Sequence, residues 1–202
     1  MRCGSWWQGG NGGNGGNGGN SGNGNTAGGG RGGNGGEGIN NNATAIIDTA
    51  KGNDIIIGIG GSGGIGGTGG SPGGGSGIPV DGTDGIGIYN AGIINTGNGK
   101  DILTGSGTTG IFNDGTIDTG ASADLVDASN GGFGGNGSIL LGDGNDILKG
   151  FGSGSFSGGS GKDTLELTKG NYTVSISGAT VSFTDTASSI VMNAIEFEKL
   201  IA

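Results

Sequence analysis

Short aliphatic pairs recur between residues 39 and 168 at fixed offsets from an aspartate, and that pattern dominates the middle of the chain. Aligned on the aspartate, the segments read AKGNDIII (Ala50 to Ile57), GNGKDILT (Gly97 to Thr104), GASADLVD (Gly120 to Asp127), GDGNDILK (Gly142 to Lys149) and GSGKDTLE (Gly159 to Glu166). The register acids Asp54, Asp101, Asp124, Asp146 and Asp163 are spaced by 47, 23, 22 and 17 residues. The first interval is close to two repeats, with one copy degenerate or missing and residues Ser62 to Thr83 filling the gap with glycine. A second column keeps the same period: IYNAGIINTG from Ile88 and IFNDGTIDTG from Ile111 agree at seven of ten positions, counting Tyr89 with Phe112. Ile47, Ile94, Ile117 and Ile139 then share one column before the glycine turn, and Ile56, Leu103, Val126, Leu148 and Leu165 share another after it.

Each unit therefore predicts an apolar strand, a glycine turn carrying an acid, a second apolar strand and a looser return. A unit of 20 to 25 residues with two short strands cannot bury its apolar face alone and gains a core only by stacking on its neighbours. The expected fold is all-β, a right-handed parallel β-solenoid over 39–168. After Asp163 the pattern changes to strict alternation in YTVSIS (Tyr172 to Ser177) and ATVSF (Ala179 to Phe183), around a Ser177-Gly178 turn, followed by IEFEKLIA. Alternation predicts strands with one buried face. Residues 169–202 are thus expected to form an antiparallel β cap through Tyr172, Val174, Ile176, Val181, Phe183, Ile195, Phe197 and Leu200, covering strand edges that would otherwise stay unpaired.

Composition changes the picture mainly at the N-terminus. Residues 1–38 hold 19 of the 59 glycines, and GGNGGNGGNGGN repeats with period three from Gly9 to Asn20. With almost nothing apolar to bury against the ordering entropy, this stretch is expected to be a disordered Gly/Asn-rich arm, with Trp6 and Trp7 in an unstructured end. There is no proline in it for a collagen-like triple helix.

Histidine is absent, which excludes histidine-based triads and HExxH metal sites. Cys3 is the single cysteine, so no intrachain disulfide or thiolate zinc site forms. No apolar run reaches 18 residues and no Sec-type leader is visible, so no transmembrane segment is expected. Seventeen acids against eight bases give a formal charge of −9 with no basic cluster, so cations rather than nucleic acid are the expected partners. No catalytic residues are expected, because every well-placed carboxylate lies at a repeat position and no aromatic-lined cleft is suggested.

Stacked repeats place neighbouring register aspartates about 4.8 Å apart, where like charges repel by about 1 kcal/mol in water and about 3 to 4 kcal/mol at an effective dielectric near 20. A hard cation offsets that repulsion. Calcium takes six to eight oxygen ligands at about 2.3 to 2.6 Å and tolerates irregular geometry, whereas magnesium demands an octahedron and keeps its waters. Glycine pairs Gly97/Gly99, Gly142/Gly144 and Gly159/Gly161 let the turns curl so that carbonyls point inward, with the aspartate closing the turn. Asp143 stands where mainly its carbonyl would serve. An EF-hand does not fit GDGNDILKG, which lacks alternating ligands, the central glycine, the terminal glutamate and helical flanks.

The same turns resemble the RTX, or haemolysin-type, calcium-binding repeat, G-G-x-G-x-D-x-U-x with U a large aliphatic. GGSGKDTLE (Gly158 to Glu166) fits throughout, and LGDGNDILK and TGNGKDILT depart only at the first glycine, where Leu141 and Thr96 stand. The Asp54 copy keeps one glycine and TGASADLVD replaces its second by Ser122. The resemblance covers 46–167, and FEKLIA is similar to strands that follow such repeats. It implies a parallel β-roll that folds on binding Ca2+, secretion to the extracellular space by one-step secretion machinery reading an uncleaved C-terminal signal, and a metal role carried best by Asp101, Asp146 and Asp163. Family units recur every nine residues and bind metal on both edges. Here the spacing leaves aspartates on one edge, opposite turns bearing Asn90 and Asn113, so fewer and weaker ions are expected. Two functions follow: a calcium-stabilised module of an exported protein, or a metal-free structural or adhesive solenoid of the cell surface.

Overall fold

The computed structural model describes residues 5–11, 13, 29–68 and 79–202, so Cys3 and the central part of the period-three tract lie outside the described residues. The protein is all-β, with no helix among the described residues, and its sheets are largely parallel. Three stacks of strands enclose one apolar core in a solenoid-like arrangement. The first sheet orders Ser5–Gln8, Ile55–Ile59, Ile102–Ser106, Leu125–Asn130, Ile147–Lys149, Thr164–Glu166 and Lys199–Ile201. The second orders Phe133–Gly134, Ile111–Asn113, Ile88–Asn90 and Ile39–Asn41. The third runs from Ile46–Asp48 through Ile93–Asn95, Thr116–Asp118, Ser138–Leu140 and Gly154–Ser157 to Val191–Ile195, where the hairpin Tyr172–Ser177/Thr180–Asp185 joins it antiparallel.

The two aliphatic columns of the sequence are real registers. Ile56 pairs with Leu103, then Val126, Leu148 and Leu165, and the column continues to Leu200. Ile47, Ile94, Ile117 and Ile139 pair in turn, followed by Phe156 and Ala194. Ile88, Ile111 and Phe133 supply the third wall of the core. Apolar side chains stack on apolar ones along each column, so one strand's apolar face covers its neighbour's.

Asparagine turns the corner between the second and third sheets. Buried Asn41, Asn90 and Asn113 form a ladder in which Nδ2 of each donates to Oδ1 of the next, at 2.6 and 2.7 Å. The remaining amide hydrogens go to Ile93 O, Thr116 O and Ser138 O. The middle rung, Asn90, thus pairs both amide hydrogens and its Oδ1, as stacked amide ladders do.

Two expectations change. The 47-residue interval contains no missing repeat: Ile55–Ile59 pairs directly with Ile102–Ser106. The extra chain leaves after Ile59 and returns at Ile88, and its glycines are used elsewhere. Its described segments pack with 29–38, and 29–38 with 10 and 13, through hydrogen bonds at every third residue. Gly61, Gly64 and Gly67 N–H donate to Gly36, Gly33 and Gly30 O, while Gly32, Gly35 and Gly38 N–H donate to Val80, Thr83 and Ile86 O. Gly33 and Gly36 N–H reach Gly13 and Gly10 O, and Gly82 and Gly85 N–H reach Gly64 and Gly61 O. A three-residue repeat of inter-segment bonds is the geometry of polyproline II chains, which have no internal hydrogen bonds and satisfy their backbone sideways.

The arm expected to be disordered is therefore hydrogen-bonded over its described residues. Trp6 and Trp7 lie in its first strand, whose backbone pairs in parallel with Ile57 and Gly58. Apolar burial is not what orders the glycine segments. A Cβ on Gly35 would lie 1.7 Å from Gly61 O, and one on Gly29 1.6 Å from Gly67 O, so the missing side chains are what admit the neighbouring backbone. Gly35→Ala is accordingly expected to abolish amide-exchange protection at Gly61 and Gly64 while leaving the melting of the aliphatic core within about 2 °C of wild type. Hydrogen exchange with residue resolution checks it.

At the other end, Phe183, Met192 and Ala194 are buried and Tyr172, Val181 and Phe197 pack against the core. Val174 and Ile176 share the inward face by register with Phe183 and Val181 but remain 56% and 73% exposed, so the hairpin overhangs the last repeat rather than closing it.

Candidate metal centre

The five register aspartates stand in one line on the inner side of the glycine turns. All are buried, Asp146 and Asp163 completely. From Asp101 onward, each Oδ1 accepts the backbone N–H of the preceding register aspartate: Asp54 N–H to Asp101 at 2.7 Å, Asp101 N–H to Asp124 at 2.8 Å, Asp124 N–H to Asp146 at 2.7 Å and Asp146 N–H to Asp163 at 2.8 Å. The carboxylates are therefore placed by main-chain register and not by side-chain chance.

The second oxygen of every one of them, Oδ2, is buried and has no hydrogen-bond partner. Five orphaned carboxylate oxygens in one column are costly, since an unpaired buried polar atom forfeits about 1 to 3 kcal/mol and a charged one more. Burial pushes the Asp124 and Asp146 carboxyls up from 3.8 to about 6, against the N–H bonds that stabilise the charged form and, at Asp124, against the nearby Thr119 hydroxyl, whose own hydrogen bond goes to Leu141 O. Asp101 and Asp163 move in the same direction, again through burial first. The charges of neighbouring rungs add to it: Asp146 raises Asp124, and Asp163 raises Asp146.

The glycines prove to have a steric role. A Cβ on Gly97 would meet Ala50 O at 1.7 Å, on Gly142 Gly120 O at 1.9 Å and on Gly159 Gly142 O at 2.0 Å. At the fourth motif position, a Cβ on Gly99 would lie 1.7 Å from Gly52 O, one on Gly144 2.1 Å from Ser122 O and one on Gly161 1.5 Å from Gly144 O. The preceding turn's carbonyl fills each missing side chain. The carbonyls of Gly97 and Gly142 also accept Ala121 and Ser160 N–H. Glycine thus gives most of the turns room to stack, whatever else their carbonyls bind, while Ser122 holds the same place in the Asp124 turn with φ 98°.

Asparagine and threonine, which the aspartate spacing does not single out, complete the turns. Asn53 and Asn145 Oδ1 accept Lys100 and Lys162 N–H at 2.9 Å. Thr49, Thr96 and Thr119 hydroxyls donate to Thr96, Thr119 and Leu141 O, so the position where the family motif has its first glycine here carries a hydroxyl ladder beside Asp101 and Asp124. Its signal in the sequence was the repeated Thr-Gly at Thr96 and Thr119.

One further rung has no counterpart among the expected ligands. Thr164 pairs with Lys199 and Leu165 with Leu200, which brings Glu198 opposite Asp163, and Glu198 Oε2 accepts Asp163 N–H at 2.6 Å. Glu-Lys-Leu at Glu198 matches the D-x-U of the repeats with Glu for Asp, a signal masked by its distance of 35 residues from Asp163.

Among the described residues no three Asp, Glu, His or Cys side chains converge on a point. An ion held here would take carboxylate oxygens from two adjacent repeats and complete its shell with main-chain carbonyls and water. The donor set is all oxygen, hard and anionic, which fits calcium rather than a transition metal. Among the described residues no helix is long and apolar enough to cross a membrane. No family model matches this chain, and no curated protein or solved structure is significantly similar to it, so its site rests on its own geometry.

Proposed function

We propose that the protein is a calcium-binding, calcium-stabilised module of an exported, extracellular protein, a right-handed parallel β-solenoid of β-roll type with no catalytic site. The observation that carries this reading is the column of orphaned Oδ2 atoms from Asp54 to Asp163. A proton quenches the charge of such an oxygen but brings it no partner, whereas a cation supplies both. Asp101, Asp124, Asp146 and Asp163 would hold the ions between adjacent turns, with carbonyls of Gly97, Gly99, Gly142, Gly144, Gly159 and Gly161 as the further donors we propose. The RTX resemblance supports the same role and suggests one-step export.

A metal-free structural or adhesive solenoid is the second reading. It is favoured by the glycine contacts and the Oδ1 ladder, which explain Gly and Asp in the turns through stacking alone.

Circular dichroism and melting during a calcium titration separate the two. Calcium is expected to raise the melting temperature with a midpoint of about 10⁻⁴ to 10⁻³ M. An unchanged spectrum and melt up to 10 mM calcium would leave the metal-free solenoid.

A further inference from the structure

The last turn is chemically unlike the others. Its outer neighbour is not another aspartate repeat but the strand Lys199–Ile201, reached only after the terminal hairpin. Asp163 is fully buried and its Oδ2 has no partner. Its backbone is held from that side, because Glu198 and Lys199 N–H both donate to Asp163 O, at 3.1 and 3.0 Å.

Gly158 lets the Glu196 carbonyl come close to this carboxylate. A Cβ there would lie 1.9 Å from Glu196 O and 2.9 Å from Asp163 Oδ2. The two oxygens are therefore within about 4.8 Å of one another, the greatest span one calcium bridges with ligands at about 2.4 Å. Glu196 presents this carbonyl from a left-handed backbone, φ 60°, which a glutamate adopts only at a cost. Its own carboxylate accepts the Ser157 hydroxyl at 2.6 Å, and its charge adds to that around Asp163. No lysine or arginine compensates the cluster: among the described residues the ion pair is Lys149–Glu166 at 3.3 Å, elsewhere. Glu198 and Glu196 are exposed, so the cluster is open to solvent.

We infer that Glu198 is the terminal rung of the carboxylate column, and that its side chain, Asp163 Oδ2 and the Glu196 carbonyl form a calcium site which fastens the C-terminal strand to the last repeat. The inference rests on the calcium reading above and extends it to residues outside the repeats. An ion at this position closes a loop of more than thirty residues containing the hairpin, and so stabilises the end of the stack where an unpaired strand edge begins.

Isothermal titration of the full chain with calcium, together with trypsin cleavage in calcium and in EDTA, tests it. Glu198→Gln keeps an amide oxygen for the Asp163 N–H and removes the charge. It is expected to bind one calcium fewer per chain and to be cut at Lys199 and Lys169 in calcium as fast as in EDTA, while the wild type is protected at least about tenfold. Asp114→Asn alters an exposed carboxylate outside the column, one that accepts the Asn136 N–H at 3.0 Å, and should keep the wild-type stoichiometry, which also shows that any loss in E198Q is not a general effect of charge. Unchanged stoichiometry in E198Q, or the same loss in D114N, would overturn the terminal site while leaving the inner ladder standing. Absence of calcium binding by the wild type would overturn the underlying reading itself.

Discussion

In calcium-free buffer the protein is expected to melt at least about 10 °C higher at pH 4 than at pH 7. Burial raises the folded-state pKa of Asp124 and Asp146 to about 6 from 3.8. A group raised in this way contributes its stability in full below its unfolded value, and that contribution is lost as pH rises through the folded value. The loss therefore falls between about pH 4 and pH 6. A rise of this size corresponds to about 3 kcal/mol for each group, and Asp101 and Asp163 act in the same direction. For a chain of this size each kcal/mol moves the midpoint by about 2 to 4 °C. Surface repulsion in a chain of charge −9 has the same sign, but 0.5 M salt screens it and leaves the buried contribution in place. Millimolar calcium should reverse the order by restoring the midpoint at pH 7, where the carboxylates are charged and able to bind. A midpoint in EDTA that is flat or rises from pH 4 to pH 7 would show that the column is not desolvated.

The second large effect is expected from Asp146→Asn, which keeps an oxygen for the Asp124 N–H and removes the charge shared by two neighbouring positions. With ions bound at about 10⁻⁴ M, 10 mM calcium stabilises by about 2.7 kcal/mol per site. Asp146 lies between Asp124 and Asp163, so the variant should lose that contribution at both flanking positions, up to about 5 kcal/mol in calcium, while at pH 7 in EDTA it should be more stable than the wild type, because the desolvated charge is gone. Denaturant unfolding of wild type and variant, with and without calcium, reads the difference directly. An equal loss in both conditions would assign Asp146 a purely structural part.

The repeat register was legible because its signal is doubled: the aliphatic columns and the aspartate column share one period, and either alone predicts the other. Ile56 to Leu165 and Ile47 to Ile139 were readable for that reason. Three features were not. Glu198 occupies the aspartate position, but the hairpin stretches its interval to 35 residues and the acid is one methylene longer. Asp54 to Asp101 looked like two intervals because sequence distance cannot tell an absent repeat from an excursion between paired strands. The glycine-rich segments carry no amphipathic pattern, and their order comes from backbone approach, a property that composition scores as flexibility.

The candidate ligands divide similarly. Spacing identified the five aspartates, and the structure aligns all of them. It did not indicate that each carboxylate from Asp101 onward would use one oxygen for its neighbour's N–H and leave the other bare, since that depends on main-chain register at the scale of a single bond. Nor did it separate the two duties of glycine, room for a stacked carbonyl and a turn around an ion.

Anomalous diffraction from crystals grown in 10 mM calcium tests the central claim most directly. Calcium peaks at about 2.3 to 2.6 Å from Oδ2 of Asp101, Asp124, Asp146 and Asp163 are the predicted result. Clear density for these carboxylates with no anomalous peak beside any of them would contradict it.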